Sequence, residues 1–190
     1  TLNNPEFYEP LYAEYLKYIY NNDISILNKN YGSNYKSFED VTFKEVRQGD
    51  TQSWLDFGIE LSHIEKTPMF YDWMNFNYEV YADWAAFMYT TVKKYAPDVK
   101  VHIKQLAGTW RYEHNYFRQW LRNGVKPEKI APFTDYNGTD AQGILNNEEQ
   151  SIQTKMRWYD YLTSLKDMPV MNSEDHIIPD NTNNLDPKYA

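Results

Sequence analysis

The chain has 190 residues, 42% of them hydrophobic, which suits one domain with a sizeable core and excludes a disordered polar segment. A net charge of −8 points away from a nucleic-acid partner, whereas an aromatic share of 17%, with 18 Tyr, 9 Phe and 6 Trp, suits flat faces that stack on neutral sugar rings as well as cores and interfaces. With no Cys there are no disulfides, thiolate nucleophiles or cysteine metal sites; no apolar run approaches the ~20 residues of a membrane span, so no membrane partner is expected, and both a cytoplasmic and a secreted bacterial location fit.

Asn3-Asn4-Pro5 reads as a strand exit followed by a helix start, because Pro is tolerated in a first turn and Leu11, Tyr15, Leu16 and Ile19 follow at helical spacing. Asn21 to Ser37 reads as a long, partly irregular excursion with one helical patch at Ile24, Ile26 and Leu27, and Trp54 to Ile64 as another short helix. From Asn75 to Tyr95 the residues Phe76, Val80, Trp84, Phe87, Met88 and Val92 make one apolar helical stripe, ended by Pro97. Val99, Val101 and Ile103 then alternate with Lys100, His102 and Lys104 as in a strand; if helices cover its apolar face, His102 and Lys104 point to the other side.

Tyr116, Phe117, Trp120 and Leu121 predict a short helix that stops at Asn123-Gly124. Ile130 to Tyr136 is a third strand candidate, broken at Asn137-Gly138, a dipeptide that marks turns. Asn147-Glu148-Glu149-Gln150 resembles a capping box and opens a helix with Ile152, Met156, Tyr159, Leu162 and Leu165 on one face. A short strand follows at Met168-Pro169-Val170-Met171 and leads to Asn172-Ser173-Glu174-Asp175-His176, where Asn172, Glu174 and His176 share a face by strand periodicity.

Strands that alternate with helices imply parallel pairing, and parallel pairing collects the strand ends on one rim. On this reading the rim carries Asn3 and Asn4, His102 and Lys104, Asp135 and Tyr136, and Asn172, Glu174 and His176. Carboxylate, amides, imidazole and aromatics together suit glycoside chemistry, in which a carboxylate meets an oxocarbenium-like centre and polar side chains hold the hydroxyls. Trp54, Trp73 and Trp110 are candidate sugar platforms, Trp110 first because it follows the strand carrying His102 and Lys104. Trp84, Trp120 and Trp158 fall on helical stripes and read as core. Asp135 to Asp140 has alternating oxygen ligands but lacks the Gly and Glu of a calcium loop, and the sequon Asn137-Gly138-Thr139 reads as a turn.

The run Met168 to His176 resembles the seventh strand of the retaining glycoside hydrolases of clan A, whose nucleophile is a Glu at that strand's end. Ile26-Leu27-Asn28-Lys29-Asn30-Tyr31-Gly32-Ser33-Asn34-Tyr35 resembles the "LN.aWGt.y" segment of family 42 β-galactosidase-like catalytic domains. Asp72-Trp73-Met74-Asn75-Phe76 resembles the helix start that leads to strand five, and Asp135-Tyr136 stands where that group carries an Asp and an aromatic residue on strand six. The resemblance implies a (β/α)₈ TIM barrel, present in residues 1–190 as a single partial-barrel domain from about strand four to strand seven. A partial barrel leaves strand edges unpaired and is expected to associate or to be poorly stable.

The implied activity is retaining hydrolysis of β-galactosides or related β-linked sugars, with Glu174 as nucleophile and no metal or organic cofactor. Asn3, His102, Lys104, Trp110, Asp135, Tyr136, Asn172 and His176 would bind the sugar, and a homo-oligomer is expected of the full-length protein. The sequence departs from the group at its acid/base: the usual Asn-Glu reads Asn3-Asn4 here, and an amide cannot act as a general acid. Asn4 should then lie about 5 to 5.5 Å from Glu174 in place of the second carboxyl. The alternative is a catalytically silent carbohydrate-binding protein on a glycosidase scaffold, and a structural α/β interaction module is a third reading.

Overall fold

The computed structural model describes residues 5–43, 68–105, 124–139 and 148–173, the last with side chains from residue 155 onward. The chain divides into two compact units, Thr1–Glu79 and Val80–Ala190.

In the first unit, helix α1 runs from Pro5 to Ile19. Pro10 lies inside it on the exposed side, and its ring nitrogen has no hydrogen to give the Glu6 carbonyl one turn back. The helix closes through Asn21 and Asn22, both at positive φ, a conformation Asn tolerates better than most residues. Helix α2, Ile24–Tyr31, starts on Asp23, whose carboxylate accepts from the Ser25 backbone N–H, and stops at Gly32 at φ 64°.

The Asn28 amide then brackets the following turn: Oδ1 accepts from Ser33 Oγ and from the Tyr35 N–H, both at 2.8 Å, and Nδ2 donates to the Tyr35 carbonyl at 2.9 Å. These bonds account for the Asn at position 28, as the positive φ accounts for Gly32. A 3₁₀ turn at Phe38–Asp40 follows, with a capping box on Ser37.

Helix α3 spans Pro68–Tyr95, so it begins seven residues before the stripe that defined it in the sequence. In the first unit its Phe70, Trp73, Phe76 and Asn77 are buried, as are Tyr12, Leu16, Leu27, Phe38, Val41 and Phe43 from the rest of that unit. Tyr12 sits between Phe76 and Phe43, with ring centroids 5.1 and 5.9 Å away. Burying an apolar side chain of this size stabilises by roughly 1.5–3 kcal/mol.

The second unit is α/β. Strands β1 (His102–Gln105), β2 (Tyr136–Thr139) and β3 (Val170–Asn172) form an open parallel sheet in the order β1-β2-β3. Between β1 and β2 lie a short helix α4 (Pro127–Ile130) and a 3₁₀ turn (Ala131–Phe133), and helix α5 (Glu148–Leu165) connects β2 to β3. Trp158 and Leu162 of α5 are fully buried, with Tyr159, Tyr161 and Val170 packed against them.

Several expectations are corrected here. The strand expected over 130–136 is helical at its start: Ile130 closes α4, and the strand begins only at Tyr136. Asn137-Gly138 does not break it but lies inside it, because both residues pair with β1 and β3. Trp84 is 50% exposed rather than core, and Phe87 and Met88 are exposed as well. The reason lies in α3: from Val80 onward it buries Ala82 and Ala85, so the stripe that continues from Phe76 faces outward. Trp73 is no sugar platform, being only 4% exposed within the first unit's core. Met156 is exposed, whereas Trp158 is core as expected. The helix expected at 54–64 lies outside the described residues.

Candidate functional site

The strand register defines two edges of the sheet. Tyr136 stands opposite His102, and Thr139 stands opposite both Gln105 and Asn172. The carboxyl ends of the strands are therefore Gln105, Thr139 and Asn172, while His102, Asp135 and Tyr136 gather at the amino-terminal edge. Of the expected substrate contacts on the described strands, only Asn172 closes a strand at the carboxyl edge. Lys104 is exposed, one residue short of it.

The side chains also separate by face. Val170 packs on the Trp158–Leu162 cluster, and its register partner Asn137 donates from Nδ2 to the carbonyls of Lys166 and Met168, both at 3.0 Å. By strand alternation Ile103, Gln105, Asn137, Thr139, Val170 and Asn172 share this helix-covered face. Asn172 fits that placement, because its Nδ2 donates to the Tyr159 hydroxyl of α5 at 2.9 Å. His102, Lys104, Tyr136, Gly138 and Met171 occupy the opposite face, where Lys104 and Met171 are exposed. The expectation that helices cover the face of Ile103 and leave His102 and Lys104 on the other is thus what the packing shows.

Asp135 is held by its own element's neighbours. Lys93 Nζ reaches its Oδ2 at 2.6 Å, the Val101 N–H donates to the same oxygen at 2.9 Å, and the Tyr89 hydroxyl donates to Oδ1 at 3.2 Å. Its own N–H donates to the Val101 carbonyl at 2.7 Å. Lys93 first, and then the Val101 N–H, lower its pKa to about 2. The stabilisation this represents is present above the ordinary carboxylate range and is lost as the pH falls toward 2. Asp135 clamps the last turn of α3 to the start of β1.

His102 lies across Gly138. A Cβ at position 138 would fall on the Ile103 carbonyl oxygen and on His102 Nδ1, so only glycine lets β1 and the imidazole approach this closely. Nδ1 is buried and makes no hydrogen bond among the described residues. We expect Gly138→Ala to destabilise the protein by about 1–3 kcal/mol through overpacking, measured as a lower denaturation midpoint with an unchanged slope.

Gln105 is a residue that sequence reading passed over. It is 1% exposed at the carboxyl end of β1, and neither Nε2 nor Oε1 has a partner among the described residues. Its backbone carbonyl accepts from the Thr139 hydroxyl at 3.3 Å, and that hydroxyl in turn accepts from Trp158 Nε1 at 2.6 Å. The available signal was its position, as the first residue after Lys104 in an alternating strand.

Asn3, Asn4, Trp110, Glu174 and His176 lie outside the described residues, as do the platform candidate Trp54 and the expected core residue Trp120. Among the described residues no three His, Cys, Asp or Glu side chains come together in the manner of a metal site, and no helix is long and apolar enough to cross a membrane. No protein-family model matches the chain, and neither a curated protein nor a solved structure matches it significantly.

Proposed function

We propose that the chain belongs to a retaining β-glycosidase of the family 42 β-galactosidase-like kind and that its βα units form part of a (β/α)₈ barrel. The observation that carries the reading is the parallel order β1-β2-β3, with helix α5 on one face and His102, Lys104 and Tyr136 on the other. Sequential parallel strands with one helix-covered face are the repeating wall of such a barrel, in which the second face becomes the interior. β3 ends at Asn172 with Ser173 still bonded to the Thr139 carbonyl, and Glu174 is the next residue in the sequence.

In this reading Glu174 attacks the anomeric carbon as the glycosidic C–O bond breaks, and the aglycone leaves as its anion and is protonated by water. Water then hydrolyses the glycosyl-enzyme ester to release the sugar and free Glu174. Asn4 occupies the acid/base position. The sugar contacts proposed are Asn3, Lys104, Trp110 and His176; His102 and Tyr136 are left out because they stand at the amino-terminal edge, and Asn172 because its amide donates to the Tyr159 hydroxyl on the helix-covered face. Asp135 is left out of the set because Lys93, Tyr89 and Val101 already engage its carboxylate. Asn4 favours a second reading, in which the site binds sugar without turning it over.

An activated aryl β-galactoside separates the two, since its leaving group departs with little proton assistance. Hydrolysis that disappears in Glu174→Ala is the expected result for the glycosidase. Saturable sugar binding without any hydrolysis of the aryl substrate selects the silent binder, and absence of both activities removes the carbohydrate assignment.

A further inference from the structure

We infer that Asp72, Tyr20 and Tyr31 form an acid-responsive latch, which holds α1, α2 and α3 together more tightly with the Asp72 carboxyl protonated than with it ionised. A single oxygen, Oδ2 of Asp72, accepts from the Tyr20 hydroxyl at 2.5 Å and from the Tyr31 hydroxyl at 2.8 Å. Asp72 is only 7% exposed, and no described Lys, Arg or His pairs with it. The inference stands on the first unit alone and does not rest on the glycosidase reading.

Among the described residues, the groups around this carboxyl offer it no positive charge. α1 contributes Tyr12 and Tyr15, the turn after it Tyr20, α2 contributes Tyr31, and α3 itself contributes Glu79 near Tyr15. The segment packed beside them supplies the apolar Phe38, Val41 and Phe43. Burying an unpaired carboxylate costs more than two phenol hydrogen bonds return, so burial raises the Asp72 pKa although both hydroxyls act to lower it. Burial likewise raises the phenols, Tyr20 to about 12, so they remain donors across the neutral range.

The sign follows. A carboxyl whose folded-state pKa is raised contributes stability that is complete below the ordinary carboxylate range and is lost as the pH climbs through the raised value. Asp135 and Glu39, both lowered to about 2, behave in the opposite way and weaken only toward strong acid. The latch is therefore tightest in mild acid, where the other two carboxylates are still ionised. It secures α2 and the Asn28-bracketed turn, because Tyr31 is the last residue of that helix.

The test is amide hydrogen exchange over residues 24–35 of the full chain, corrected for intrinsic rates, from about pH 4, in the ordinary carboxylate range, up to pH 8. Wild type should lose protection as the pH rises, by up to about tenfold per pH unit within the titration window. Asp72→Asn keeps an acceptor oxygen for both phenols and removes the titration, so its protection should be high and independent of pH. The latch is overturned by pH-independent protection in wild type, or by the same slope persisting in Asp72→Asn. Loss of the native far-UV spectrum in Asp72→Asn would also overturn it, because the charge would then be required rather than costly.

Discussion

Asn4→Glu is expected to raise kcat/KM of unactivated β-galactosides by about 10²- to 10⁴-fold while leaving kcat/KM of activated aryl β-galactosides nearly unchanged. The two substrates differ in what the leaving group needs. An alkoxide or sugar oxygen departs slowly unless a proton reaches it as the bond breaks, and an asparagine amide has no such proton to give. A nitrophenolate departs as a stable anion, so its rate reports the nucleophile. Restoring the carboxyl therefore acts on one substrate class only, and Glu174→Ala placed on top of Asn4→Glu should abolish both activities. A matched series of alkyl and aryl galactosides measures this as a flattened dependence of kcat/KM on leaving-group pKa. An equal change for every leaving group, or none, would show that position 4 does not face the glycosidic oxygen.

The same prediction marks where sequence reading reaches furthest, since Asn4 and Glu174 are connected only by the order of the strands between them. That order was legible: Pro5 starts α1, the acids Glu148 and Glu149 open α5, and the alternation around Ile103 is a strand. The position of β2 was not. The apolar run Ile130 to Phe133 and the turn-forming pair Asn137-Gly138 both signalled a strand before 137, yet Gly138 is inside the sheet because β1 and His102 approach it too closely for a side chain. Local propensity cannot report a long-range steric demand of that kind.

Moving β2 by this amount shifts Asp135 and Tyr136, two of the nine expected rim residues, from the carboxyl edge to the amino edge. The periodicity of α3 failed for a related reason, because its apolar stripe is buried at Trp73 and Phe76 and exposed at Trp84 and Phe87. The bonds from Tyr20 and Tyr31 to Asp72 span 52 and 41 residues, and nothing local in the sequence announces them.

Trp158→Ala should destabilise the second unit by about 3–5 kcal/mol, the largest stability effect expected among the described residues. Trp158 is fully buried on α5, its ring 5.5 Å from that of Tyr161, and its indole N–H donates to Thr139. The hydroxyl of Thr139 passes the connection on to the Gln105 carbonyl, so one side chain ties α5 to β2 and, through it, to β1. Alanine removes the ring from the face of the sheet and also the donor that fixes the end of β2. Trp158→Phe separates these contributions: it keeps most of the apolar volume and should cost about 1–2 kcal/mol for the lost hydrogen bond and the smaller ring. Chemical denaturation followed by far-UV circular dichroism gives both values. If the two substitutions cost the same, the hydrogen bond dominates and packing on Val170 contributes little. If Trp158→Phe costs nothing, the bond to Thr139 is not what holds α5 to the carboxyl edge.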